Sequence, residues 1–290
     1  MRTRKRVAFV LAAAGALGVG SFAFAGSASA FTNCVPPTPN TTAGNQSCIN
    51  GQIVPSTGLG STFHNISLYT HVATRYLHPG DKANGGFAHT VSVLYDSDGT
   101  INPGTIPKCS TSALAGKNIA QAWATCGPGA GAAHNAYLTT GPPQLPAGAP
   151  PTATSGRAST APPSNFNGCT LIFNGPTVNG NPTDILYTRV TLVPNGTANC
   201  LSPATNTSGN STVILQGKVL PAGVSGFGKK LVTTGIDALP LPLDDFYATV
   251  NRGSYVQARC THSLLRQRGI FVYSGTTQAT DTANFSQPCS

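Results

Sequence analysis

The 290-residue chain contains no glutamate, and methionine and tryptophan occur once each, methionine only as the first residue. Glu and Met are among the residues that lose least rotamer freedom in a helix, so their scarcity weighs against a helical bundle, a coiled coil or a doubly wound α/β enzyme. Charge is thin as well: 17 Lys and Arg stand against 8 acids, all Asp, at 81, 96, 98, 184, 237, 244, 245 and 281. Without Glu there is no H-E-x-x-H zinc-protease helix. A carboxylate pair for glycoside hydrolysis would have to come from Asp. No apolar run reaches the ~20 residues of a membrane-spanning helix. Thr, Val and Asn are plentiful beside 33 Gly and 23 Pro, residues that suit strands and turns.

Residues 1–30 read as an export signal. Arg2, Arg4, Lys5 and Arg6 form a positive start, residues 7–19 an apolar run, and Ala28-Ser29-Ala30 a small-residue cleavage site before Phe31. The alternative, a membrane anchor, is disfavoured by the shortness of the run. Cys34 follows Phe-Thr-Asn, which does not resemble the small-residue box of a bacterial lipoprotein. The expected product is a secreted, extracellular protein with no membrane span after signal removal. Losing the signal leaves 13 basic against 8 acidic side chains, a net of +5. The densest basic groups are Lys229-Lys230 and Arg252, Arg259, Arg266 and Arg268. That is not the concentrated stripe of a nucleic-acid-binding domain. Ordinary solvated side chains account for it, with weak attraction to an anionic envelope polymer as the other reading.

Eight cysteines follow the signal: Cys34, Cys48, Cys109, Cys126, Cys169, Cys200, Cys260 and Cys289. An even number in an exported chain reads as four disulfides, although sequence alone leaves the connectivity open. Their distribution favours local pairs, 34–48, 109–126, 169–200 and 260–289. The Cys–Cys spacings are too wide for zinc, so neither a metal nor another cofactor is expected.

Segments 62–72, 89–95, 169–173, 185–193, 212–220, 246–250, 255–260 and 269–273 are short and rich in β-branched and aromatic residues. Several alternate with period two. Asn84-Gly85, Asp98-Gly99, Asn174-Gly175, Asn195-Gly196 and Ser274-Gly275 punctuate them as turns. One helical pattern, 110–125, is interrupted by Gly116, so it fits one helix or two short ones. The expected fold class is all-β, a disulfide-stapled β-sandwich or Greek-key barrel with at most one or two short helices. At the C-terminal end the pattern predicts a hairpin, 246–250 turning at Asn251-Arg252-Gly253 into 255–260, with Cys260 facing the core and Arg259 outward. The charge-poor, proline-rich segment 141–164 reads as an extended loop or linker. A single secreted domain, 31–290, with this segment as a loop is preferred; two β domains, 31–140 and 166–290, are the alternative.

Candidate chemistry is sparse. Asp96-Ser97-Asp98-Gly99 has the opening of a calcium loop, but the Gly comes early and Pro107 replaces the closing Glu, so a polar turn is the better reading. Gly223-Val224-Ser225-Gly226 shares part of a nucleophile elbow, but Phe227 stands where Gly is needed and no helical pattern follows. His64, His71, His78, His89, His134 and His262 fit no ligand spacing, and the adjacent Asp244 and Asp245 would diverge on a strand. No catalytic, cofactor-binding or metal residue is singled out.

Five segments carry a resemblance: Ile106-Pro-Lys-Cys109-Ser-Thr-Ser-Ala-Leu114, Cys126-Gly-Pro-Gly-Ala-Gly131-Ala, Phe173-Asn-Gly175, Gly253-Ser-Tyr-Val-Gln-Ala-Arg-Cys260 and Val272-Tyr-Ser-Gly275-Thr-Thr. In this order they resemble a group of uncharacterised secreted proteins of high-GC Gram-positive bacteria. The likeness runs from about Thr90 to Cys289. It implies disulfides 109–126 and 260–289 and an all-β extracellular fold, and it implies no reaction. The Tyr-Ser-x-Gly turn of the group is shortened here to Tyr-Ser-Gly, and its tryptophans near the final hairpin are absent. The stretch before Thr90 and the proline-rich segment have no counterpart in it.

Two functions from different classes follow. The first is a non-enzymatic secreted or envelope-associated β module, binding or structural, presented to a cell-wall polymer, a carbohydrate or a protein. The second is a secreted hydrolase with an Asp/His/Ser site assembled from distant segments. A cleft holding a His within ~3 Å of both a Ser/Thr hydroxyl and an Asp carboxylate would favour the second.

Overall fold

The computed structural model describes residues 47–74, 88–127, 135–138, 167–191, 211–236, 245–273 and 280–290. The signal segment 1–30, the proline-rich segment 141–164, Cys34 and Cys200 lie outside the described residues, as does the side chain of Cys169. Strands β1 (Ser47–Val54), β2 (His64–Asn65), β3 (Ser67–Thr74), β4 (Ala88–Asp96) and β5 (Gly99–Ile101) precede two short helices, α1 (Thr111–Leu114) and α2 (Ile119–Cys126). There follow β6 (Asn167–Asn174), β7 (Thr183–Thr191), β8 (Ser211–Pro221), β9 (Phe227–Thr234) and β10 (Asp245–Val250). The last are β11 (Val256–Ala258), β12 (Leu264–Tyr273) and β13 (Thr280–Pro288). The fold is all-β, and every strand pairing is antiparallel.

The main sheet has seven strands in the order β13-β12-β4-β9-β8-β7-β6. β4 precedes segment 141–164 and the other six strands follow it, so strands from both sides of that segment share one sheet. A second sheet, β1-β3-β10, lies against its inner face, and a small sheet, β2-β11-β5, completes the set. The core forms where the layers meet. Ile49 of β1 and Val72 of β3 cluster with Val93, Phe271 and Tyr273, while Ile53 and Leu68 cluster with Ile172, Val219 and Leu265.

The outer edge of β1 is closed by side chains rather than by a strand. Gln287 of β13 accepts from Ile53 N at 2.8 Å and donates to Ile53 O at 3.0 Å, and Asp281 accepts from Ser47 N at 2.8 Å. Buried backbone groups must be paired, and these two β13 residues do it without adding a strand.

The helical pattern resolves as two helices because Gly116, at φ +70°, carries the chain out of α1 in a left-handed conformation. Asn118 and Gln121 then form a reciprocal capping box on α2, at 2.8 and 3.0 Å. α2 lays Ile119, Ala122 and Cys126 on Leu171, Phe173, Ile185 and Tyr187, the outward face of β6 and β7, and the 109–126 disulfide fastens it there. The 260–289 disulfide is also formed, and Cys48 is disulfide-bonded too.

Three local expectations are corrected. The strand expected over 62–72 is two, β2 and β3, in different sheets. The turn expected at Asn174-Gly175 lies instead at Asn179-Gly180, both at positive φ (51° and 77°) as a two-residue hairpin turn requires. Gly175 packs against Thr183, whose Oγ1 would lie 2.4 Å from an added Cβ. β10 and β11 form no hairpin: β10 pairs with β3, and β11 with β2 and β5.

Candidate functional site

The residues with chemical potential gather at one corner. The Asp96–Gly99 segment is a tight turn between β4 and β5, with Asp98 N donating to Asp96 Oδ1 at 2.9 Å. Asp96 Oδ2 accepts from Arg266 Nε at 2.7 Å, tying β4 to β12. Asp98, with a side chain 1 % exposed, accepts from Arg259 Nε (2.9 Å), Thr261 N (2.5 Å) and Thr261 Oγ1 (2.7 Å), and its Oδ2 lies 3.2 Å from His262 Nδ1. Burial pushes the Asp98 carboxyl up, but the bonds from Thr261, Arg259 and His262 together outweigh it and hold the group below the usual carboxylate value.

His262 therefore meets the distance criterion for a hydrolase, with Thr261 Oγ1 at 2.9 Å and Asp98 at 3.2 Å. The arrangement is not a triad. Both contacts fall on Nδ1, whereas a relay needs the acid on one ring nitrogen and the nucleophile on the other. Thr261 Oγ1 also has only one proton, and it lies within reach of both Asp98 oxygens. Ligand atoms of Asp96, Asp98 and His262 all lie within 4.8 Å of one another. Every one of the four carboxylate oxygens already accepts from a donor, and two donors are guanidinium groups that a cation would have to displace. The corner is a set of anchors for the chain around Cys260.

The other candidates are dispersed. Ser225 sits exposed in the β8–β9 hairpin turn, flanked by Gly223 and Gly226 at positive φ, so the elbow motif is a Gly-rich turn. His64 lies on β2, buried His71 on β3 and exposed His89 on β4. His78, His134, Asp81, Asp237, Asp244 and the side chain of Asp245 lie outside the described residues.

A carboxyl missed by motif reading lies in the core. Asp184, on the inward side of β7, accepts from the Tyr255 hydroxyl. It lines a cavity of about 40 Å³ among Tyr95, Leu68, Ile172, Phe246 and Val256. Burial pushes Asp184 up to about 7, against the opposing bond from Tyr255. Burial and the nearby Asp184 likewise push the Tyr255 and Tyr95 hydroxyls up. The sequence signal for such a group is an acid at an inward position of a strand with few other polar residues.

The outward face of the seven-stranded sheet is divided. Over β6 and β7 it lies beneath the helices. Over β13, β12, β4 and β9 no other element among the described residues packs on it. Cross-strand partners there form one row of Asn284, Arg268, Leu94, Lys230 and Leu220, and a second of Thr282, Ile270, Ser92, Val232 and Lys218. Leu94 is fully buried, and its cross-strand partners on the two sides are the cations Arg268 and Lys230. Arg268 donates to Asn284 Oδ1 at 2.8 Å and lies 4.9 Å from the Phe227 ring centroid. Asp96 is the acid on this face among the described residues, and Arg266 neutralises it. Lys218 and Lys230 make no ion pair among the described residues.

No helix among the described residues is long and apolar enough to cross a membrane. Comparison with protein-family models, with curated proteins and with solved structures finds no match to this chain.

Proposed function

We propose that the chain is a secreted, non-enzymatic β module of the extracellular space or cell envelope, with a binding or structural role. The observation that supports it most directly is the use of its acids. Among the described carboxyls, Asp96 is held by Arg266, Asp98 by Arg259 and Thr261, Asp184 by Tyr255, and Asp281 by Ser47 N and Thr282 N. A hydrolase of the two-carboxylate kind needs such groups turned to its substrate, and these are turned to the fold. The export pattern of residues 1–30, the disulfides and the five-segment resemblance to secreted proteins of high-GC Gram-positive bacteria support the location.

The hydrolase reading retains one observation, the Nδ1 of His262 beside Thr261 and Asp98. The test is a panel of ester, glycoside and peptide substrates offered to the secreted protein and to His262→Ala. No turnover by either is expected. Turnover that His262→Ala abolishes would replace the module with an enzyme.

A further inference from the structure

Building on that non-enzymatic reading, we propose that the helix-free half of the outward sheet face binds an anionic polysaccharide, laid across β12, β4, β9 and β8 and held at Arg268, Lys230 and Lys218. Charge is the first argument. Among the described residues, Lys218 and Lys230 have no acidic partner, Arg268 is bound only to a neutral amide and an aromatic ring, and the acid on the face, Asp96, is already matched by Arg266.

Spacing is the second argument. Arg268 and Lys230 flank Leu94 on either side, so they stand two strands apart, about 10 Å. That is the length scale of a disaccharide repeat, so successive anionic groups of an extended glycan would meet successive cations. Lys218 continues the line on the next strand, β8, displaced along it by two residues.

The third argument is order. Arg268 is fixed by Asn284 and Phe227, which limits the side-chain freedom lost on binding. Ser92, on β4 between the strands that carry Arg268 and Lys230, offers a hydroxyl for a sugar hydroxyl. The exposed apolar side chains that a protein partner would use lie elsewhere: Val54, Phe63 and Val224 off the face, and Leu264 at its rim.

The experiment measures binding of the mature, disulfide-intact protein to immobilised polygalacturonate, with neutral dextran and single-stranded DNA as comparators. Wild type should bind polygalacturonate more tightly than either comparator, and salt should weaken the binding. The triple variant Lys218→Gln/Lys230→Gln/Arg268→Gln keeps the apolar stems and should bind roughly tenfold more weakly or worse. Lys108→Gln, beside the helices, should match wild type. Lys218→Glu alone, at the most exposed of the three positions, should shift binding in the same direction, so the result does not depend on the triple variant folding. The proposal is overturned if wild type does not bind, if the triple variant binds equally, or if dextran or DNA binds as well. Release of reducing ends from the polymer would instead overturn the non-enzymatic reading, while the variants still report on the face.

Discussion

The Tyr255 hydroxyl and the Asp184 carboxyl meet 71 residues apart in sequence, inside the core and away from any cation. β6 presents Asn174 beside Asp184 and β8 presents Gly217. The cavity walls from β3, β4 and β10 add Leu68, Thr70, Tyr95, Phe246, Ala248 and Val250. Tyr95 and Tyr255 are the titratable groups among these, and none is basic. A neutral carboxyl can donate as well as accept, and Asn174 Oδ1 is buried without a hydrogen-bond partner among the described residues.

Asp184→Asn should therefore stabilise the protein at neutral pH. The folded state holds its Asp184 proton up to about 7, whereas the unfolded chain releases it near its ordinary value of 3.8. The folded state thus binds more protons between these values, and stability falls as pH rises through that window. The loss is about 1.4 kcal/mol per pH unit from this group. Melting curves at pH 4, 6 and 8 should show the variant gaining on wild type as pH rises. A constant difference would mean that Asp184 is ionised throughout.

Gln287→Ala should cost about 2–4 kcal/mol, because it leaves both Ile53 N–H and Ile53 C=O buried without partners. Hydrogen exchange at the Ile53 amide should quicken in the variant relative to the central strands. Unchanged protection would show that the β1 edge is closed by something else.

Cys260→Ala removes a bridge closing 29 residues, which chain entropy values at about 3–4 kcal/mol. The melting temperature and the yield of folded protein should both fall. Arg259→Ala should also destabilise, by about 1–2 kcal/mol, since Asp98 then keeps only Thr261 and His262. An Arg259→Ala variant indistinguishable from wild type would make the Asp98 contact energetically idle.

Reading the sequence located several strands whose inward positions are apolar, though not β1, which buries Ile49 and Ile53. β4, with Val91, Val93 and Tyr95 inward, and the central strands β7 and β8 lie within a few residues of their expected places. β13 escaped notice because two of its inward positions are Asp281 and Gln287, chosen to bond the β1 backbone rather than to be apolar. β9 escaped because Lys229-Lys230 interrupts its apolar pattern. Arg259 was legible as outward, and it is half-exposed. Its bond to Asp98 was not legible, because the two lie 161 residues apart and meet only when β4 and β11 are placed. The cationic face was visible only as scattered charges, for the same reason: Lys218, Lys230 and Arg268 become neighbours through strand order, not through spacing.

Strand order also dictates when the chain can finish folding. β4 lies between β12 and β9, and β1 has its outer edge sealed by β13, so both N-terminal strands wait for partners from the far end of the polypeptide. Such non-local pairing slows folding, because long loops must close before any contact rewards them. A chain emerging N-terminus first would hold β4 without β12, and β1 without β13, until residues 264–288 arrive. Losing residues 280–290 should thus be felt at Ser47 and Ile53, more than 200 residues earlier, and the nascent protein would depend on protection from aggregation until those strands arrive.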